Sequence, residues 1–502
     1  MGVVDLLSRK PAGGLKARIL KPNYASIMAQ VVAVWAEQLG HRVQYVTYTG
    51  FEDLERVRPR DIDLLFICSF TQAAYLAYSL SNLYRKQGVT TVLGGPHARA
   101  YTQDARRFFD YVVGFANKQI IQDLLQDYSP NPSEGVVVGA SEQPRELPGV
   151  RERWKYIRHN LDKTPRWFRA VSMVGSLGCP YQCGFCIDSR VPYQPLPFDQ
   201  LREDLTFLAK TFRKPLVAWH DPNFGVRFDD YMSLIEEAAA PGTFRFVAES
   251  TLSQLTEPHL QQLQRNGFVT LIIGIESWFD YNLKARQASR QGMDKVKEVA
   301  EQANLVTRHI PYLQTNFMFG IDADAGRAPF ELTRRFVDLA PAAIPAYSFW
   351  TSFGDSAALD CQLQEEGRVL KVPFHFLAHS SMNIIPRNYT YLELLDHVVD
   401  LTRYSFLPRV VMRRLASNSD SLLSMARWSQ LIRSKGVLGK GRYVQFRKAR
   451  DRLASDRELQ AFYAGQSTRV PSFFRDKIRA DLGPYYEHLP KGALDSLGQT
   501  AT

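Results

Sequence analysis

The sequence predicts an α/β protein, with two successive domains of alternating strands and helices and then a helical C-terminal region. Strand-like and helix-like runs alternate over residues 1–130, as in a doubly wound (Rossmann-like) parallel sheet, and again with a longer period over 166–375, as in a (β/α) barrel. Beyond 375 the strand signal fades. At 502 residues the chain is also too long for one core, since single cores stop growing near ~250–300 residues.

In the first domain a short strand is expected over 17–21, then a helix over 27–39 that Gly40 ends. The β-run 41–47 and the apolar run 63–69 read as strands, the second buried on both faces of a parallel sheet. A Tyr/Leu/Ala-rich helix over 72–86, broken by Gly88, leads to strands over 89–95 and 110–114. Ligands of such a sheet bind at the carboxyl ends of its strands. Residues 131–165 are expected to be a linker, because 129–150 are rich in Pro, Gly and polar residues.

Six strand-like runs follow, over 168–175, 215–220, 245–250, 269–277, 314–320 and 346–352. Amphipathic helical stretches such as 197–212, 229–240 and 294–304 separate them. The pattern predicts a partial (β/α)6 barrel of the TIM type, with its site at the C-terminal ends of the strands. Residues 376–502 carry helical patterning at 391–404, 420–434, 441–454 and 456–464.

A hydrophobic fraction of 45% and a charged fraction of 23% describe a folded chain, which excludes disorder as its main state. No apolar run reaches the ~18–20 residues of a membrane span, and residues 1–10 lack the long apolar core of a signal peptide, so the cytoplasm is the expected address. The net charge of +11 is concentrated, for residues 401–450 hold twelve Lys/Arg and one acid, Asp420. Aromatics (Tyr404, Phe406, Trp428, Tyr443, Phe446) interleave with these cations, as in helices with Arg-rich polar faces and aromatic inner faces. No RNA-binding module is recognisable, so nucleic acid is not the expected partner, whereas an acidic small molecule or peptide is compatible with this surface.

Three of the five cysteines fall within eight residues, in Cys179-Pro-Tyr-Gln-Cys183-Gly-Phe-Cys186, just after the first barrel strand. A structural zinc site needs a fourth ligand, and no Cys or His lies between Cys186 and His220. Three thiolates from one tight loop suit a four-iron cluster with one iron left open. Cys361, without a partner, reads as a buried structural residue.

This C-x3-C-x2-C stretch, with Phe185 before its last cysteine, resembles the signature of the radical S-adenosylmethionine superfamily. The resemblance implies that Cys179, Cys183 and Cys186 hold a [4Fe–4S] cluster whose fourth iron binds S-adenosylmethionine, and that reductive cleavage there yields a 5′-deoxyadenosyl radical. It places Phe185 beside adenine. Later strand ends fit the same pattern. Asp221 and Asn223 in His-Asp-Pro-Asn-Phe-Gly would contact the methionyl end, and Glu249 and Ser250 would lie near the ribose and sulfonium. Glu276 and Ser277 match the fourth-strand motif, and Gly320 the fifth-strand turn against adenine. The post-barrel stretch 363–369 also fits, but the family's preceding Pro-Gly-Thr-Pro reads Ser-Phe-Gly-Asp-Ser-Ala over 352–357, and that loop often shapes the substrate pocket.

The first domain resembles the B12-binding fold of one subgroup of this superfamily, on the strand order and on Ser69-Phe-Thr-Gln and Leu-Gly94-Gly95-Pro-His-Ala. Ser69, Thr71, Gly94 and Gly95 match the cobalamin-contacting positions. The D-x-H-x-x-G loop that would bring a histidine to cobalt is missing, no His occurring before His41, and the usual Gly-Glu reads Gly114-Phe-Ala-Asn-Lys. His97 reads as a solvated loop residue. The resemblance therefore implies a cobalamin-dependent methyltransferase acting on an unactivated carbon or phosphorus of a biosynthetic intermediate, supplied with electrons by a flavodoxin- or ferredoxin-type donor. A non-methylating cyclase, ring-rearranging or oxidising enzyme is the alternative.

Overall fold

The computed structural model describes residues 1–12, 25–131, 133–162, 164, 169–181, 183–279, 291–378, 381–417 and 439–494. Its first domain is a six-stranded parallel sheet of β1 (Gly2–Leu6), β2 (Gln44–Tyr48), β3 (Leu64–Ser69), β4 (Thr90–Gly94), β5 (Tyr111–Val113) and β6 (Val136–Val138). The spatial order is β2-β1-β3-β4-β5-β6. Strand order therefore reverses between β1 and β3, and their carboxyl ends flank the crevice where doubly wound sheets bind ligands.

The strand expected over 17–21 lies outside the described residues. The sequence reading did not anticipate β1, all five of whose residues are buried between β2 and β3. The short apolar patch that precedes the charged residues is part of the core, with Val3, Val4 and Leu6 buried. Asp5 is buried too, accepting from Ser26 N and Ser26 Oγ at 2.7 Å each, and burial pushes its carboxyl up to about 6. In the expected linker 131–165, three half-exposed valines form the edge strand β6, and Trp154–Asp162 is a helix. That helix packs Tyr156 on Tyr45 with ring centroids 4.6 Å apart. Just before it, buried Arg153 donates to Gln30 Oε1 at 2.8 Å. The surrounding Pro and Gly hid an edge strand of the first sheet and a helix that packs on both domains, with Trp154 against Phe207 and Phe212.

The second sheet contains β7 (Ala170–Met173), β10 (Leu216–Trp219), β11 (Arg245–Ser250), β12 (Phe268–Glu276), β13 (Tyr312–Phe319) and β14 (Ile344–Phe349), all parallel and in sequential order. A two-stranded antiparallel ribbon, β8 (Ser176–Leu177) with β9 (Gln194–Pro195), lies between β7 and β10. Helices such as Phe198–Thr211, Phe228–Ala238 and Ala328–Leu339 alternate with the strands. Among the described residues β14 does not pair with β7, so the barrel is open, as expected for a partial (β/α)6 arrangement. Outward positions on the strands (Val217, Phe246, Leu271, Leu313, Phe317) pack under the helices in a core shared with the first domain. The alternate positions include polar residues, among them Glu249, Thr270, Gln314 and Asn316.

Of the C-terminal helices Tyr391–Ser405, Pro408–Ala416, Arg442–Ser455, Arg457–Tyr463 and Ser472–Leu482, the first packs on the barrel helix Ala328–Leu339 and on β14, and the last meets the post-barrel segment through Asp481 and His375. The helix expected over 420–434, with Asp420, Arg427, Trp428, Arg433 and Lys435, lies outside the described residues. Several of the remaining cations are engaged. Arg413 pairs with Asp338 at 2.5 Å, Arg450 with Asp396 at 2.7 Å, and buried Arg414 donates to Pro341 O at 2.9 Å. No described helix is long and apolar enough to cross a membrane.

His97 is not a solvated residue. It is fully buried, its Nε2 lies 2.7 Å from Tyr78 OH, and its ring meets Phe374 edge-on at 4.9 Å. Tyr78 OH donates to Asp104 at 2.7 Å, so the imidazole Nε2–H donates to the Tyr78 oxygen. Burial depresses its pKa to about 3, which keeps the ring neutral. His97 thus ties the first domain to the segment after the barrel.

Candidate active site

The cysteine loop leaves β7 and closes on itself through the β8–β9 ribbon. Gly178 makes the turn at φ +66°, where a Cβ would stand 2.5 Å from Pro192 O and 2.6 Å from Val191 O. Only glycine permits that closure. Within the loop Cys186 N donates to Cys183 O at 2.9 Å, and Asp188 N to Cys186 Sγ at 3.5 Å. Gly184 O accepts from Leu359 N at 3.0 Å, so the post-barrel helix Ala358–Glu365 braces the loop.

All three thiols are half-buried. Burial pushes Cys186 up to about 12, with Asp188, Cys183 and Cys179 adding their charge, and it raises Cys179 as well. The thiols therefore feel one another. Among the described residues, however, no three His, Cys, Asp or Glu side chains form a ready site for a single metal ion. The all-thiol donor set on one loop matches the chemistry of an iron–sulfur cluster.

Asp221, after β10, departs from the sequence expectation. Its Oδ1 accepts from Gly175 N (2.6 Å) and Ser176 N (3.2 Å), and its Oδ2 from Ser176 Oγ (2.7 Å) and Tyr231 OH (2.6 Å). Both oxygens are committed, so the carboxylate anchors the base of the cysteine loop rather than reaching a cofactor. Burial raises its pKa, while these four donors pull the other way. Asp221→Ala should therefore cost on the order of 3 kcal/mol in urea unfolding, through buried donors left unpaired. It should also lower the iron retained after reconstitution; full iron retention would show that the loop is held by other means.

The neighbouring groups are less occupied. Asn223 Oδ1 accepts from Gly225 N at 3.1 Å, but its Nδ2 is buried without a partner, as is Ser250 Oγ at the end of β11. A Cβ on Gly225 would lie 3.1 Å from Ser250 Oγ, so these donors share one corner of the barrel mouth. Gln254 donates to Tyr181 OH at 2.8 Å and ties that corner to the cysteine loop. Orphaned donors of this kind fit an anionic, oxygen-rich ligand.

Glu249 lines the open interior of the barrel, and desolvation, followed by the charges of Asp188 and Glu276, pushes it up to about 7. Glu276 ends β12 with a non-glycine φ of +66°, beside a register shift between Gly274 and Glu276. Backbone in that region costs about 1–3 kcal/mol and persists where the surroundings impose it. Ser277 is spent locally, its Oγ accepting from Phe279 N at 3.2 Å and its carbonyl from Lys295 Nζ at 2.7 Å. Gly320, at φ +87°, donates to Asp324 Oδ2 at 3.0 Å, and Phe185 packs on a cluster containing Met318, Ile321 and Trp350. Phe185 thus packs on residues that flank Gly320 in the chain, Met318 and Ile321.

The first domain opens toward this mouth. A cavity of about 520 Å³ lies over the carboxyl ends of β1, β3, β4 and β5, with Cys68, Gly94, Gly95 and Phe115 on the sheet side. Its opposite wall is the barrel rim, formed by Ser172, Val174, Gly178, Asp188 and His220. Of the four positions expected against cobalamin, Gly94 and Gly95 line this cavity. Ser69 does not, being fully buried with its Oγ donating to Phe70 O at 3.0 Å. Thr71 lines a larger neighbouring cleft of about 910 Å³, which also reaches Ile187 and Arg190 of the cysteine loop. The divergent loop 352–357 supplies Phe353, Asp355 and Ser356 to that cleft, and Gly354 packs so closely on the first domain that a Cβ would fall 2.2 Å from Ala100 O. Sequence reading missed Arg99, Phe115 and His220, whose elements meet only through the fold.

The profile of the Radical SAM superfamily matches residues 173–322. Bacteriochlorophyllide d C-12(1)-methyltransferase of Chlorobaculum tepidum is 22% identical over 361 residues, 70% of this chain and 76% of its own length. The C-8(2)-methyltransferase of the same organism is 24% identical over 280 residues, 52% and 59% of the two chains. Among solved structures, the radical S-adenosylmethionine methyltransferase TsrM from Kitasatospora setae, with tryptophan substrate and aza-SAM bound, superposes with a TM-score of 0.58 at 12% identity, over 90% of this chain and 99% of its own. The cobalamin-dependent radical enzyme OxsB, with aqua-cobalamin and S-adenosylmethionine bound, gives 0.51 at 12% identity, over 97% and 84%.

Proposed function

Because residues 173–322 match the Radical SAM superfamily and the fold is similar to that of B12-binding radical enzymes, we propose that this chain is a radical S-adenosylmethionine enzyme, a cobalamin-dependent methyltransferase acting on an unactivated carbon of a small biosynthetic molecule. The observation that carries this reading is the shared cavity. The strand ends of the first domain and the cysteine loop of the barrel form opposite walls of one space, so a methyl carrier on one side faces the radical source on the other. The names of the curated relatives favour methyl transfer over the non-methylating cyclisation or oxidation.

When bound, the cluster supplies the electron that cleaves S-adenosylmethionine to methionine and a 5′-deoxyadenosyl radical, and cobalamin carries the methyl group. The chain's own residues position and shield. Cys179, Cys183 and Cys186 hold the cluster on a loop fixed by Asp221 and Gly178. Asn223 Nδ2 and Ser250 Oγ donate to the methionyl carboxylate, which satisfies two otherwise orphaned buried groups. Glu249 and Glu276 accept from the amino group and the ribose hydroxyls, and Phe185 and Gly320 wall the adenine. Gly94 leaves room for cobalamin. The electron donor is of flavodoxin or ferredoxin type, and the working compartment is the cytoplasm.

A direct test uses Glu276→Ala. Affinity for S-adenosylmethionine in equilibrium dialysis should fall about tenfold, the worth of one charge-assisted hydrogen bond, while iron content stays at the wild-type level. Unchanged binding and unchanged 5′-deoxyadenosine formation would remove Glu276 from the site.

A further inference from the structure

We propose that the 910 Å³ cleft beside the cysteine loop is the substrate site, and that it takes an apolar molecule bearing an anionic group, carboxylate or phosphate. This deepens the functional reading above and rests on it, because the cleft matters to catalysis only if the cysteine loop is the radical source.

Two features of the lining carry the inference. The first is apolar. Phe70 is 46% exposed and Ile187 41%, and both border this cleft, one from the turn after β3 and the other from the residue after Cys186. Large side chains left open on facing walls are the mark of a ligand site. Phe115, from the first domain, extends the same surface.

The second is charge. Arg9, Lys10, Arg99 and Arg190 line the cleft against one acid, Asp355. Arg99 makes no ion pair among the described residues, and lies 5.3 Å from the Phe115 ring, coupled at longer range to Asp188. Arg190 donates to Asp355 O (3.0 Å) and Cys361 Sγ (3.3 Å), neither a carboxylate. Lys10 reaches Asp481 only at 4.0 Å, and Arg9 is anchored through His375 O. Burial lowers the pKa of Arg9, Lys10 and Arg99, a cost that an incoming anion relieves. Guanidinium groups bind carboxylate and phosphate alike through charge-assisted hydrogen bonds. Apolar walls beside cations select an amphipathic anion.

The test uses two probes with the same aromatic body, 8-anilinonaphthalene-1-sulfonate and the uncharged N-phenyl-1-naphthylamine, in equilibrium dialysis against protein loaded with cluster and hydroxocobalamin. The anionic probe should bind at least about tenfold more tightly. Lys10→Gln with Arg190→Gln should reduce that preference several-fold, leaving the neutral probe within about twofold of wild type. Phe70→Ser should weaken both probes. If the double variant does not fold, the wild-type protein still decides, since raising salt from about 0.02 to about 0.5 M should weaken only the anion several-fold. Equal affinities, or a preference indifferent to salt and to loss of the cations, would overturn the proposal. Failure of wild-type protein to cleave S-adenosylmethionine would instead overturn the functional reading, and the probes report on the cleft independently of it.

Discussion

Changing Cys179, Cys183 and Cys186 together to Ala is expected to abolish iron binding, the charge-transfer absorbance near ~400 nm and all 5′-deoxyadenosine formation. The effect is large because no other ligand can substitute. Among the described residues the remaining cysteines are Cys68, at the sheet of the first domain, and Cys361, on the post-barrel helix. The fold should survive, since the loop is closed by features outside the thiols: the Gly178 turn, the four bonds to Asp221 and the Gly184–Leu359 hydrogen bond. Circular dichroism should therefore match wild type. Retention of about four iron per chain in the folded triple variant would refute the cluster assignment.

Two adjacent glycines should respond in opposite ways. A Cβ on Gly94 meets no atom within 4 Å, so a side chain there projects into the open cavity. Gly94→Leu should leave the fold and the cluster intact while cobalamin retention falls below detection, because side chain and cofactor cannot share the space. Gly95 is different. It sits at φ +92°, and a Cβ would lie 3.0 Å from Ser69 N, Ser69 O and Cys68 Sγ. Gly95→Val therefore strains the backbone and wedges β4 from β3, at a cost of about 3 kcal/mol in urea unfolding before any cofactor is added. Normal cobalamin binding by Gly94→Leu would mean that the cavity over β4 is not its seat.

Local patterns carried the reading where they sufficed. Periodicity located most strands of both sheets, and the cysteine spacing together with its place after the first barrel strand pointed to a cluster loop at the mouth of a barrel. Longer-range partners decided what was missed. β1 is five residues beside a charged stretch, and only its position between β2 and β3 makes it a core strand. Asp221 looked like a cofactor contact because its donors, Gly175, Ser176 and Tyr231, lie 46, 45 and 10 residues away. Ser69 looked like a strand-end contact, yet its hydroxyl turns back on Phe70 O. His97 follows two glycines as a loop residue would, but Phe374, far along the chain, covers it. The larger cleft draws on residues near 9, 70, 99, 115, 190 and 355, a set that no linear motif contains.

The most direct measurement is the fate of label from methyl-labelled S-adenosylmethionine, incubated with the cluster- and cobalamin-loaded protein, a low-potential reductant and its substrate. Mass spectrometry of the products should show both S-adenosylhomocysteine and 5′-deoxyadenosine, with one labelled methyl gained by the acceptor. Formation of 5′-deoxyadenosine without S-adenosylhomocysteine, and with a product that has rearranged or lost hydrogen but gained no label, would contradict methyl transfer.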